Sequence, residues 1–468
     1  ITQACSFEAT SLDFYNSIYQ YDGFGDAYYW CSKGANVFQA KKDENLSAIS
    51  FYTGNASVEY EVSIYKLNDD YTSPVDGTLI TTLKGTQDFS GYHTINLNDV
   101  YSLQKGDYFS IVVSFPKINY IYYALLLISL FVIVLNYIKN HNLNKFIILY
   151  IIYFIITLIS TILNDGNIPK MLVDFLQNIG IIMAIEIYSK KNCEKLFKVL
   201  TVMFYSITIL NTLSFILVPE GIVKTQIMKE PIYFLGIDNR FSFNYLPGIC
   251  VISIYDYLRK NKLSILTYLY MFITYVTFIY FWSAGALVAE TLLIIYILFL
   301  RNKININPKK YLTIDLIAFI SLVFFRIQNL FSFLIVDVLH KDLTLSSRTF
   351  LWDKAIKIIK NNLFIGIGVQ KSEYMLNNIS AYHSHSYFLN ILVQSGVFGL
   401  ISFLLCIFVS LKKLSQYENS NISKIISFTI FSMLIMLLVD TFDITCNMIL
   451  LLSIGYYVGN LTKGEDYE

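Results

Sequence analysis

Three arginines, two histidines and one glutamate stand where they could do chemistry: Arg240, Arg326 and Arg348, His383 and His385, and Glu290. The chain is lysine-heavy, and its 35 Lys+Arg include only five arginines. A guanidinium is a planar, permanently charged fork that meets phosphate oxygens two at a time, so a diphosphate is the natural ligand for several of them in a low-dielectric site. Arg259 and Arg301 sit in short basic connections and need no such role. An imidazole suits proton removal near neutral pH, and His385 stands at the mouth of an apolar run. It reads also as a hydrogen-bonded interfacial histidine. As metal ligands, His383 and His385 lack a nearby Asp, Glu or Cys set to complete a site. Glu290 falls near the middle of an apolar run, as a site carboxylate or as the partner of a neighbouring helix.

The segment that must position most of these groups runs from about Leu339 to Gly399, a long polar interruption among apolar runs. Irregular, charged backbone beside membrane spans is tolerated where it lines a site. Ser346 or Ser347 is placed to cap a helix on which Leu351, Ala355, Ile358 and Ile359 form one face and Lys354, Lys357 and Lys360 the other. Such a helix would lie in the membrane interface. Arg348 and Trp352, four apart, share a face with Ile356 and Ile359, as site residues or as a lipid-phosphate contact and an interface anchor. Gly366 and Gly368 permit a tight turn or close backbone approach, and no G-K-[ST] follows them to make a phosphate loop. Gly396 and Gly399 read as helix-packing positions.

With 55% hydrophobic residues and a mean hydropathy of +0.52, the 468-residue chain is too apolar for a soluble globular protein. A formal net charge of +1 supplies no field for nucleic acid. From Tyr120, apolar runs predict about eleven spans, near 119–138, 146–163, 171–188, 197–218, 241–258, 263–281, 284–300, 311–331, 387–410, 424–439 and 444–460. Lys139 and Lys145, Lys190 to Lys198, Arg259 to Lys262, Arg301 to Lys310, and Lys412 with Lys413 fall on alternate connections. The positive-inside rule makes these cytoplasmic and puts the N-terminal part and a large loop, 332–385, outside, with Arg240, Arg326 and Arg348 all on the external side.

Residues 1–117 read differently. Period-two alternation at Val58, Tyr60, Val62 and Ile64, and at Phe109, Ile111, Val113 and Phe115, with turn clusters between, predicts an antiparallel β-sandwich. Cys5 and Cys31 could pair if this part is exported, or be two ordinary small residues. Asp22, Asp26, Asp69, Asp70 and Asp76 read as solvated turn carboxylates, since no calcium-loop spacing is present. The chain opens at Ile1 without an apolar leader, which points to a removed signal or to a piece of a longer protein. The abrupt Phe115-Pro116-Lys117 junction, without a flexible linker, fits a domain substituted for a first span or an artificial joining of two unrelated pieces.

Two resemblances add to this reading. Arg348 four residues before Trp352, an amphipathic helix, Gly366 and Gly368, His385 with Tyr387 and Leu389, and Gly396 with Gly399 together resemble the signature loop of the O-antigen ligase and polymerase family. The segment GIDNRFSFNYLPG around Arg240 resembles that family's second arginine region. The resemblance implies a metal-independent membrane glycosyltransferase, without a cofactor, in a bacterial cytoplasmic membrane. It would take glycan from a polyprenyl diphosphate and transfer it to a glycan, lipid or protein acceptor on the outer face. Arg348 and Arg240, with Arg326, would hold the donor diphosphate; His385 would be the catalytic base; Trp352, His383 and Glu290 would support them. The run GANVFQAKKDENLSAISFYTGNASVEYEVSIYKL, with GYHTINL and LQKGDYFSIVVSF, resembles the lectin-like domain of bacterial secreted cysteine peptidases, a family associated with the cell surface. The other classes are a membrane-anchored surface adhesin, which would not need eleven spans, and a glycolipid transporter, which often shows repeated halves.

Overall fold

The computed structural model describes all residues except 1–4, 8–13, 21–32, 54–57, 116–119, 141–142, 223–230, 339, 341, 442–445 and 463–468. Asp22, Asp26, Cys31, Pro116 and Lys117 therefore lie outside the described residues. The chain is mainly helical with an N-terminal sheet domain. It divides into two units, Ile1–Tyr123 with Val223–Pro231, and Ala124–Ile222 with Ile232–Glu468.

The first unit is built from β1 (Cys5–Phe7), β2 (Lys33–Gln39), β3 (Glu44–Thr53), β4 (Val58–Leu67), β5 (Gly77–Gln87), β6 (Ser90–Leu103) and β7 (Tyr108–Ser114). One sheet has the order β1-β6-β3 and the other β2-β7-β4-β5. Every pairing is antiparallel except β1 with β6. Ile49 and Phe51 of one sheet pack on Val62 and Ile64 of the other, with Ile95 and Ile111 around them. This is the face that the expected alternation put inward. Strand β7 departs from simple alternation, because Ser110 and Val112 on its other face are buried too. There the Ser110 hydroxyl donates to the Pro74 carbonyl and Tyr71 packs on Tyr108, so the turn after β4 covers the outer side of the sheet.

The second unit contains α1 (Tyr120–Asn140), α2 (Lys145–Leu163), α3 (Ile168–Lys191), α4 (Cys193–Leu217), α5 (Ser242–Lys260), α6 (Ile265–Phe281), α7 (Ala284–Ile295), α8 (Lys309–Val323), α9 (Arg348–Asn361), α10 (Ser372–Ile379), α11 (Tyr387–Leu414), α12 (Asn421–Met436) and α13 (Cys446–Tyr456). Asn144, Asn167, Asn192, Ser264 and Ser420 accept first-turn N–H groups and set the starts of α2, α3, α4, α6 and α12. Helix occupies each of the eleven expected apolar runs in whole or in part. Among the described residues, α2, α3, α4 and α11 are long and apolar enough to cross a membrane. Helix α8 stops at Val323, short of the expected 331, and the chain turns through Arg326 in the left-handed region into a 3-10 turn, Ile327–Phe331. Helix α5 carries Pro247, which cannot donate to the carbonyl of Phe243; Asn447 donates to that carbonyl instead, at 2.6 Å.

Helix α11 is the centre of this unit and packs on α2, α8, α9, α12 and α13. At the lysine-rich end, the buried carboxylate of Glu186 receives Lys190 and Tyr457 at 2.6 Å, Asn144 at 2.9 Å and Tyr137 at 3.1 Å, tying α1, α2 and α13 to α3. Three donors on Oε2 and Lys190 on Oε1 mark that carboxylate as a structural clamp.

Candidate active site

The site is assembled by a break in α11. Gly396 has φ 60 and ψ −163, so the helical ladder is interrupted there. The turn after α9 fills the interruption: Ile367 N–H donates to the Val393 carbonyl at 2.8 Å and Gly368 N–H to the Gln394 carbonyl at 2.9 Å. In return, Val397 and Phe398 donate to the carbonyls of Leu363 and Phe364 at 2.9 and 3.1 Å. The backbones lie so close that a Cβ on Gly366 would stand 2.5 Å from the Val393 oxygen, and one on Gly396 2.4 Å from the Phe364 carbonyl. Gly366 thus makes the close backbone approach expected of it. Gly396 differs from expectation: instead of smoothing a helix surface, it opens the helix to receive another segment. Val369 then donates to the Thr161 hydroxyl and accepts from Asn167, which anchors the turn to the end of α2.

This clamp holds α9 against the start of α11. Helix α9 buries Trp352, Ala355 and Ile359 and leaves Lys357 and Lys360 exposed, while Lys354 reaches the Ser380 hydroxyl. The expected serine cap is absent: Ser347 occupies the cap position with φ 66 and its side chain makes no cap hydrogen bond. Leu345, Ser346 and Ser347 are three consecutive residues in the left-handed region. L-residues adopt it at a cost, and such strain concentrates at functional sites. Arg348 follows directly, donating from Nη1 to the Leu345 carbonyl at 3.0 Å, with its buried Nε left without a partner.

Trp352 is fully buried, and its Nε1 donates to the His385 carbonyl at 3.4 Å. The Arg326 guanidinium lies over the indole, 5.2 Å from the ring centre, and pairs with the Asp353 carboxylate and the Thr349 carbonyl. Its Nη1 is buried without a hydrogen-bond partner. The His383 and His385 rings are 4.2 Å apart. His385, itself left-handed at φ 51, places Nδ1 3.9 Å from an Asp440 carboxylate oxygen, too far for a hydrogen bond. Partial burial, then the nearby His383 and Arg348, push the His385 pKa down to about 3, so its imidazole is neutral at pH 7 and is a weaker base than a free imidazole until a bound anion raises it.

Arg348, Arg326, Trp352, His383 and His385 are therefore together. Arg240 is exposed on a separate 3-10 turn, Asp238–Arg240. A chain of neighbours leads from it to the cluster: the Ser283 hydroxyl donates to Asn239 at 3.0 Å, and the first turn of α7, at Gly285, faces Val439 beside Asp440, where an added Cβ would stand 3.5 Å from the Val439 side chain. The α12 end is held in place by Tyr387 N–H, which donates to the Leu437 carbonyl at 2.9 Å. Glu290 is not in the cluster; it is buried between α6 and α7 and contacts Thr274. Sequence reasoning missed Asp353 and Asp440. The signal for Asp440 was a carboxylate in the short connection between two apolar runs, on the side assigned to Arg348. Among the described residues no group of three His, Cys, Asp or Glu could hold a metal ion.

Residues 267–404 match the O-antigen ligase family, and residues 18–125 match the lectin like domain family. The first match contains Glu290, Arg326, Arg348, Trp352, His383, His385 and the Gly396 break; Arg240 and Asp440 lie outside it. The exopolysaccharide production protein ExoQ of Rhizobium meliloti (strain 1021) is 30% identical over 81 residues, covering 14% of this chain and 19% of that protein. The chain thus spans about a fifth of the length of that relative. No solved structure matches the chain. The long apolar helices and the O-antigen ligase match make this an integral membrane protein with a lectin-like domain at its N-terminus.

Proposed function

We propose that the chain is a membrane glycosyltransferase of polysaccharide biosynthesis, transferring or polymerising glycan from a polyprenyl-diphosphate donor on the outer membrane face. The observation that carries this reading is the half-buried His385 imidazole, packed near His383 and held at its carbonyl by Trp352, beside Arg348 and inside the O-antigen ligase match. Arg348 has a buried Nε without a partner, and Arg326 a buried Nη1 without one, so both retain donor capacity for an anionic ligand. Arg240 would reach the same ligand from the Asp238–Arg240 turn.

In the transfer step the acceptor hydroxyl oxygen forms a bond to the anomeric carbon of the donor glycan. The bond from that carbon to the diphosphate oxygen breaks, and the polyprenyl diphosphate leaves with the electron pair. His385 takes the hydroxyl proton. The arginines stabilise charge that grows on the leaving diphosphate, in an environment where fixed donors act more strongly than in water. Asp440, near His385 Nδ1, favours the imidazolium that forms. Trp352 and Arg326 hold the His385 backbone in position. The eleven-span arrangement with the sandwich and residues 332–385 outside belongs to this reading, supported by the alternation of basic connections.

The test is the surface glycan of cells lacking the protein. The reading predicts lost or shortened polymer with accumulation of the lipid-linked precursor, restored by the wild-type chain and not by H385A. Unchanged polymer and precursor contradict it.

A further inference from the structure

Glu290 stands six residues into α7, roughly 9 Å along the axis from Ala284. It is fully buried, and no Lys, Arg or His among the described residues forms an ion pair with it. Its Oε1 lies 2.6 Å from the Thr274 hydroxyl, and its Oε2 has no hydrogen-bond partner. That hydroxyl also lies 2.9 Å from the Tyr270 carbonyl and 3.1 Å from the Met271 carbonyl.

A threonine hydroxyl has one hydrogen. If Glu290 were ionised, Thr274 would give that hydrogen to Oε1, leaving a buried charge with one hydrogen bond and a bare second oxygen. Such a charge costs several kcal/mol. If the carboxyl carries a proton, its O–H donates to Thr274 Oγ, and Thr274 donates to a carbonyl of its own helix. The carboxyl contact and one of the two carbonyl contacts then each have a hydrogen, and nothing charged is buried. We propose that Glu290 is a proton-binding site within the helical unit, holding a neutral carboxylic acid at pH 7.

The surroundings fit a neutral acid. Tyr245 on α5 and Tyr270 on α6 lie close enough to interact with Glu290. From α4, Asn211 donates to the Tyr245 hydroxyl at 2.8 Å and Thr208 to the Tyr270 hydroxyl at 3.0 Å. Helix α12, which also packs on α7, carries no ionisable side chain between Ile425 and Met436. Gly248 makes room for the Tyr270 hydroxyl, which a Cβ there would meet at 2.1 Å. These amide and hydroxyl groups donate or accept as needed and bring no fixed cation. The first turn of α7 carries the Ser283 contact to Asn239 and faces Val439 at Gly285. The proton on Glu290 therefore stabilises the helix that joins the Arg240 turn to Asp440.

The experiment is infrared spectroscopy of the full chain in lipid at neutral pH, with melting temperature measured in parallel. The proposal predicts a protonated-carboxyl stretch that shifts in heavy water and is missing in E290Q, and an E290Q melting temperature that gains on wild type as pH rises. A spectrum identical in wild type and E290Q overturns it. Should E290Q fail to fold, T274V carries the test: losing the acceptor shifts the same band, and an unmoved band overturns the assignment. These readouts do not depend on glycosyl transfer, so their outcome is independent of the proposed function.

Discussion

The Trp352 indole N–H donates to the backbone carbonyl of His385 at 3.4 Å, joining the first turns of α9 to the mouth of α11. Through this contact a helix outside the apolar runs fixes where an imidazole stands. Arg326 over the same indole adds a charged group to the junction. W352F keeps a buried ring but loses the N–H, so transfer should fall about tenfold, with less than the roughly 3–5 kcal/mol destabilisation of W352A. Rates and melting temperatures of the two variants check this. Equal turnover in W352F and wild type would mean that the contact does not position His385.

The arginines should respond to shape as well as charge. R348K and R240K keep the charge and lose the fork, and each should cost on the order of 10²-fold in turnover. R326K additionally loses the flat stack on Trp352 and should lower thermal stability as well as rate. Near-normal turnover in both R348K and R240K would leave these arginines as lipid-phosphate contacts.

His385 gives a signed pH prediction. Its pKa in the folded chain, about 3, lies below the ordinary histidine value of about 6.5. The unfolded chain therefore takes up the proton first, and this contribution to stability, complete above about 6.5, is lost as pH falls toward 3. The acid limb of kcat/KM due to His385 should lie far below 6.5. Bound diphosphate would favour the imidazolium, so the corresponding limb of kcat should lie higher. Coincident limbs near 6.5 in both profiles would contradict the lowered pKa of this imidazole. D440N should move the kcat limb down without abolishing transfer.

G366A and G396A place a methyl group into backbone at about 2.5 Å or less, at positive φ. Each should cost about 1–3 kcal/mol or more and reduce transfer, although neither residue is assigned a part in the reaction. Melting temperature and rate together test this; retention of both would mean that the break in α11 is not needed to hold α9.

Much of this was legible. Period-two alternation placed Val62 and Ile64 in the sandwich core, and apolar length located the helices. The resemblance of the stretch from Arg348 to His385 to a family signature loop was what put those residues in one expected site. What was not legible depended on backbone conformation and on distant partners. A glycine such as Gly396 in an apolar run reads the same whether it smooths a helix or breaks it; only Leu363 to Gly368, docking from elsewhere, decides. Ser347 has the composition of a cap, yet three left-handed residues turn it away. Asp440 meets His385 only because α12 ends beside the start of α11. Helix α8 ends early, at Val323, and just beyond it Arg326 turns left-handed with its guanidinium over Trp352, a tertiary contact that hydropathy does not record.

The most direct measurement is glycosyl transfer by the purified full chain in lipid, supplied with polyprenyl-diphosphate-linked oligosaccharide and an acceptor, comparing wild type with H385A. The account predicts new glycosidic product and released polyprenyl diphosphate from wild type, and a rate lower by roughly 10² to 10⁴ in H385A with donor binding retained. An H385A rate equal to wild type, with the same acid limb, would contradict the assignment of His385 as the base.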